Sequence, residues 1–330
     1  MASGSWGNIG PMAHELEELA KRLADVTRLG MTPEIAEKLK LKSEDVVRGQ
    51  LMAASDGDRG PLGVYLLAIY VVDDTDLWDD GEIYWWSIPV LVDKQGNARW
   101  SPVSGLPAGA PPHKCGSLEW MTNLSLKEPP LLAVIPADDE IASAVIRLGI
   151  YDDDGKPADI PAALGQGYTA LSGCVREGLP GATQILTPVR EAICKALKVE
   201  DDDVLLDEDL TIRRGEIGRF GVGLVGSLVN AKARAYYIVK DELHTETAGP
   251  VVLRKGEEAK LVFSSELVKN GRVTVFARGA DVTCPVFGDL TTDRPFAGKV
   301  LDAALAKSLA SGIEITGRGP AKVVAFYTPP

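Results

Sequence analysis

Histidine, cysteine and excess positive charge are what this chain has least of. Its 330 residues include 3 histidines and 4 cysteines, and 47 acidic against 35 basic side chains leave a net charge of -12. With so few histidines, a Ser-His-Asp triad has few bases to draw on, and no G-x-S-x-G elbow occurs. His113-Lys114-Cys115 offers two metal ligands, but no partner follows at zinc spacing. Cys115, Cys174, Cys194 and Cys284 are scattered without C-x-x-C spacing, which excludes a zinc ribbon and a dense disulfide framework and reads as buried thiols. The negative balance opposes contact with a phosphate backbone, so no nucleic acid partner is expected. No run approaches the roughly 18 to 20 apolar residues that a spanning helix needs. The first residues also lack the basic and apolar blocks of a signal peptide. The expected location is cytoplasmic by default, or outside the cell by a non-classical route.

What the chain has is apolar, strand-forming sequence. Apolar residues make up 45% and charged residues 25%, which are globular values, and the length suits two domains with a smaller third segment. Residues 1–56 read as a helical segment, with Met12, Leu16, Leu19, Leu23 and Val26 at helical spacing. A helix-turn-helix over 32–54 would need a basic face that this composition lacks. The pattern then turns to strands. GVYLLAIYVV (63–72) and IYWWSIPVLV (83–92) are continuous apolar runs, and Pro89 suggests that the second is an edge strand or carries a bulge. A Gly/Pro-rich loop (104–116), PPLLAVIP (129–136) and ASAVIRLGIY (142–151) follow.

Residues 160–198 change to helical period, with Leu164, Tyr168, Leu171 and Val175 on one face and Thr187-Pro188 opening a second helix. Strand character resumes over 209–221 and 231–241. The expected division is thus a β-sandwich over 57–242 with a helical insertion at 160–198, then a second small β-sandwich over 243–330. In that last unit Lys269-Asn270-Gly271-Arg272 is the hairpin signal, and 297–312 reads as helix. The fold class is mainly β, α+β overall.

Three bursts of carboxylate stand at the ends of these apolar runs: VVDDTDLWDDGE (71–82), LGIYDDDGKPAD (148–159) and EDDDVLLDED (200–209). Crowded carboxylates repel one another, and a cation between them relieves the repulsion. Calcium suits the crowding best, since it takes six to eight oxygen ligands at flexible geometry, although magnesium shares the ligand chemistry. The alternative is a solvated acidic rim, which is what charge runs usually are. Candidate metal ligands are Asp73, Asp74, Asp76, Asp79, Asp152, Asp153, Asp154, Asp159, Asp201 and Asp203. They can share an ion only if the acidic turns meet at one end of a sheet pair.

The first two bursts resemble the metal loops of the C2 family of calcium-dependent membrane- and partner-binding domains. In that resemblance Asp73 and Asp79, or Asp76 and Glu82, match a pair of aspartates six apart in the first loop, and Asp152 and Asp154 match the D-x-D of the third. Asp159 follows Asp152 by seven residues where the family has eight, and Asp201, Asp202, Asp203 and Asp207 stand beyond the helical insertion as candidates to replace or supplement the last ligand. The resemblance covers about 65 to 155 and implies an antiparallel β-sandwich that binds calcium at loop tips. The lysine-rich strand used by many relatives for acidic lipids is missing. Trp78, inside the first loop, could insert into a membrane interface or pack on its own domain.

One dinucleotide-like motif competes. GVGLVG (221–226) matches G-x-G-x-x-G, and Asp241 follows Gly221 by twenty residues, but RRGEIGRF before it is not an apolar strand. The expectation is a non-enzymatic calcium-binding β-sandwich protein, without catalytic residues, that docks on a membrane surface, a protein partner or other copies of itself as a homo-oligomer. The alternatives are a self-assembling shell or filament subunit and an NAD(P)-dependent oxidoreductase.

Overall fold

The two longest apolar runs form β1 (Leu62–Val71) and β2 (Gly81–Asp93), and nearly every residue of both is buried. A strand of a one-sided sheet alternates apolar and polar; one buried on both faces has no reason to. The computed structural model describes residues 61–74, 81–100, 105, 107–137, 140–153, 159–199, 203–217, 221–242 and 244–330. The helical reading of 1–56 and Trp78 lie outside these residues.

After β2 come β3 (Ala98–Arg99), β4 (Ala108–Cys115), β5 (Glu119–Trp120), β6 (Leu131–Ile135) and β7 (Ile141–Tyr151). Two helices follow, α1 (Ile160–Glu177) and α2 (Ala182–Leu197), then β8 (Val204–Arg213), the short α3 (Arg214–Ile217), β9 (Leu224–Val229) and β10 (Ala233–Asp241). The C-terminal unit holds β11 (Glu246–Leu253), β12 (Glu258–Leu261), β13 (Arg272–Gly279), β14 (Val282–Thr283), β15 (Phe296–Val300), α4 (Ala303–Leu309), β16 (Ile313–Gly317) and β17 (Ala321–Thr328).

These strands build four antiparallel sheets. The first runs β5-β1-β10-β9 with β6 also on β1, the second β3-β2-β7-β8 with β4 also on β2, the third β11-β17-β13-β15 and the fourth β12-β16-β14. Val64, Leu66 and Ile69 of the first sheet meet Trp85, Ile146 and Ile150 of the second in one core. The other face of the second sheet, with Tyr84, Trp86 and Tyr151, is covered by Leu164 and Leu171 of α1 and Val189 and Ile193 of α2. The other face of the first sheet, with Tyr65, Leu67 and Tyr236, is covered by Phe276, Val324 and Phe326 of the third. The third and fourth sheets, with Ala306 and Leu309 of α4, enclose the C-terminal core. A helical layer and four β-layers are thus stacked in one series.

Trp85 and Trp86 sit back to back in β2 and are fully buried on opposite faces. Their burial is worth on the order of 4 to 6 kcal/mol each by area, before the indole N–H of each, without a partner among the described residues, is counted against it.

Several local expectations need correction. Pro89 lies on a central strand and not at an edge, although β2 does carry register irregularities between Ile83 and Trp85 and between Val92 and Asp93. Strand β7 pairs along one side of β2, while β3 ends opposite Leu91 and β4 begins opposite Ser87 on the other. Neither short strand pairs with Pro89, and a missing N–H directed to that side costs the ladder nothing. Most of the Gly/Pro-rich stretch is itself a strand, β4, whose Pro111 and Pro112 stand where its register with β2 shifts, a tolerated place on an outer strand. Helix α2 starts at Ala182, after Gly181, and Pro188 lies inside it. Asn270 takes the left-handed turn expected of it, at φ 68°, but the strands flanking that turn belong to different sheets, so no hairpin forms. Residues 296–300 are strand, and the C-terminal helix is only the seven residues of α4.

Candidate metal-binding pole

Topology decides which acidic turns can meet. Strand β1 ends at Val71 and the chain returns as β2 at Gly81, and antiparallel pairing sets Tyr84 of β2 against Tyr151 at the end of β7 and Tyr151 against Val204 at the start of β8. The acids after β1, after β7 and before β8 therefore lie at one pole of the first and second sheets. Backbone hydrogen bonds tie them: Asp152 donates to the Asp203 carbonyl at 2.8 Å, and Asp153 to the Glu82 carbonyl at 3.1 Å. Asp73 donates to the carbonyl of Lys232, just before β10, at 3.1 Å.

Two of these carboxylates are buried. Asp152 is 1% exposed and Asp74 is 4% exposed, whereas Asp73 is exposed and Asp153 and Asp203 are intermediate. Asp74 accepts from the Ser117 hydroxyl at 2.7 Å and its own N–H donates to the same oxygen at 3.1 Å, which closes the turn after β1 onto the turn after β4. Asp152 accepts from the Asp153 N–H at 2.9 Å. Its carboxylate occupies space that a side chain on residue 81 would take: a Cβ on Gly81 would lie 2.5 Å from Asp152 Oδ2. The glycine opening β2 is therefore what admits the carboxylate to the pole. Ser117 and Gly81 carry no acidic signal, and only the pairing of Gly81 with Cys115 brings them into view.

The electrostatics around Tyr84 record the same crowding. Burial raises its phenol well above the usual value, and the neighbouring carboxylates of Asp153, Asp203 and Asp152, with the Cys194 thiol, raise it further. Lys114, 3.6 Å from Glu82, is the nearby ion pair at this end of β4.

Other predicted ligands have different roles or fall outside the description. Asp159 caps α1, accepting from the Ala162 N–H at 3.0 Å. Asp76, Asp79, Asp154 and Asp201 lie outside the described residues. The second half of the third burst is strand rather than turn: Asp207 and Asp209 stand on β8, where Arg147 of β7 reaches both, at 3.1 and 2.7 Å, and Arg190 of α2 also pairs with Asp207. Those charges hold the helical layer to the second sheet. Among the described residues, no group of three His, Cys, Asp or Glu side chains is close enough to hold a metal ion.

The glycine motif at 221–226 also has a defined place. It leads into strand β9, not a helix, so no helix N-terminus faces it to receive a pyrophosphate. Gly226 instead makes room for the Tyr237 ring of the neighbouring strand. No helix among the described residues is long and apolar enough to cross a membrane.

No family model matches the chain, and no curated protein matches it. Among solved structures, human GIVD cytosolic phospholipase A2 in complex with methyl gamma-linolenyl fluorophosphonate and terbium chloride is similar at 8% identity and a TM-score of 0.25, over 82% of this chain and 32% of that one. The same phospholipase without the inhibitor gives 9% identity and the same TM-score, over 82% and 33%. Phpd with cadmium and hydroethylphosphonate gives 11% identity and a TM-score of 0.12, over 97% and 92%. The chain spans about a third of the phospholipase, and TM-scores this low establish no shared fold. Mainly β architecture in several antiparallel sheets is what the structure itself establishes.

Proposed function

We propose that this protein is a non-enzymatic, calcium-binding β-protein whose acidic pole docks on a membrane surface or protein partner. The observation that carries this reading is the meeting of the turns after β1 and β7 with the start of β8, which gathers Asp73, Asp74, Asp152, Asp153 and Asp203 at one end of two packed sheets. Calcium would draw on Asp74 and Asp152 as buried donors, and further acids of the three bursts would have to complete the six to eight oxygens it takes. Neutralising that end removes the repulsion between the turns and lets the pole approach an anionic or apolar surface. The test is a calorimetric titration of the full chain with calcium, beside Asp74→Asn and Asp152→Asn. Saturable binding weakened by each substitution supports the reading. Equal binding in all three proteins, or none in the native one, overturns it.

Self-assembly is the second reading, and exposed apolar residues on outer strands favour it. Val229 on β9, Val252 on β11 and Val300 on β15 are 58%, 65% and 49% exposed, and each of these strands closes one side of its sheet. Sedimentation over a range of concentrations tests it: a monomer throughout removes a shell or filament role.

A further inference from the structure

The first and third sheets meet around Trp120, Tyr236 and Phe276, with ring centroids 5.5 to 6.4 Å apart. Towards their outer strands, β9 of the first and β15 of the third, they leave a cleft of about 610 Å³. That is the size of a small-molecule site. Among the described residues, its lining carries three arginines, Arg234, Arg272 and Arg294, and one carboxylate, Asp293. In a chain of net charge -12 this is a local reversal of sign.

Strand geometry explains how the cleft is furnished. Side chains alternate along a strand, so Arg272, Thr274 and Phe276 of β13 share the face turned to the first sheet. Phe296 and Gly298 pair with Phe276 and Thr274 across the ladder and share that face. Gly298 leaves a gap there, and a Cβ on it would lie 3.0 Å from Thr274 Oγ1 and 3.3 Å from Arg272 Nη2. A hydroxyl and a guanidinium thus converge above a residue with no side chain. Thr274 is 1% exposed, and its hydroxyl has no hydrogen-bond partner among the described residues. Buried hydroxyls are normally paired, and one left unpaired beside a guanidinium in a cleft is a donor waiting for an acceptor. Arg234 is held by Asp293 at 2.9 Å and lies over the Tyr70 ring, so it shapes the wall. Tyr236 and Phe296 supply flat apolar surface.

We propose that this cleft binds a small organic oxyanion, a charged head on a planar apolar body, with Arg272 and Thr274 donating to the head above Gly298 and the rings of Tyr236 and Phe296 holding the body. Arginine suits the head because its planar fork matches carboxylate and phosphate oxygens. The lining of this site includes none of the carboxylates of the acidic pole.

The test is titration of the full chain at low ionic strength with phenyl phosphate and, separately, benzoate, which distinguishes a phosphate from a carboxylate preference. Saturable binding of either probe, weakened about tenfold or more by Arg272→Gln and by Gly298→Ala, supports the site. Gly298→Ala adds one methyl at an exposed strand position and fills the gap without removing a contact. Thr274→Val should weaken binding as well, yet leave the melting temperature of the free protein unchanged or higher, since it removes a buried unpaired hydroxyl. No saturable binding of either probe at millimolar concentration overturns the proposal, as does binding that survives Gly298→Ala.

Discussion

The acidic pole and the arginine-lined cleft share the first sheet, and they are built by opposite means. At the pole, carboxylates stand in turns just beyond strand ends, and pairing of β2 with β7 and β7 with β8 brings those ends together. In the cleft, Arg234 and Arg272 project from strands β10 and β13, Arg294 stands in the turn before β15, and stacking of two sheets brings the faces together. Turn charges can adjust and share counter-ions at little cost. Strand charges are fixed in place, and their partners are set by the register of the ladder. A site of the first kind calls for a mobile ion with loose geometry, and one of the second for a shaped ligand.

The largest expected effect separates the two by removing the contact that makes the cleft. Phe276→Ala deletes a fully buried ring between the first and third sheets and should cost about 3 to 5 kcal/mol, read from chemical denaturation. Phenyl phosphate binding should fall with it while the response to calcium stays; loss of both together would make the two regions one unit. Next, Gly81→Ala strikes the pole alone. The added methyl meets the Asp152 carboxylate, and the overpacking should cost about 1 to 3 kcal/mol and weaken calcium binding, with the cleft unaffected.

The smallest effect is a control outside both regions. Burial pushes the Glu246 carboxyl up, but hydrogen bonds from Ser264 and Ser265 outweigh it and hold the group below its ordinary 4.5. A depressed folded value stabilises the protein fully above the unfolded value and loses that contribution as pH falls through the folded one. Glu246→Gln should therefore cost on the order of 1 kcal/mol near pH 7. The gap to the native protein should close as pH falls below 4.5. A gap independent of pH would mean that the carboxylate charge is not what these serines stabilise.

How much of this was legible follows from the same distinction. The runs at 63–72 and 83–92 are strands as their composition requires, and the helical period over 160–198 marks the layer that buries the outer face of Trp86. The acidic bursts are visible because turn charges cluster in sequence. Asp207 and Asp209 belong to the same burst yet serve Arg147 and Arg190, because β8 begins inside it, and composition does not reveal where a strand starts. Arg272 and Thr274 left no mark on their own, since a hydroxyl and a guanidinium two residues apart on an alternating strand look like a solvated face. Only the packing of the third sheet onto the first turns that face inward. Stacking of the C-terminal unit on the first sheet is also why β1 lacks alternation, a signal that reads equally well as any buried strand.

Whether the pole is a metal site is tested most directly by thermal melting of the full native chain in millimolar calcium and in excess EGTA. An ion that binds the folded turns and not the unfolded chain adds about 2.7 kcal/mol at a hundred times its dissociation constant. The account predicts a melting transition several degrees higher with calcium, and no such difference in Asp152→Asn. Superimposable transitions of the native protein under the two conditions would contradict it and leave Asp74 and Asp152 as buried structural carboxylates beside a solvated rim.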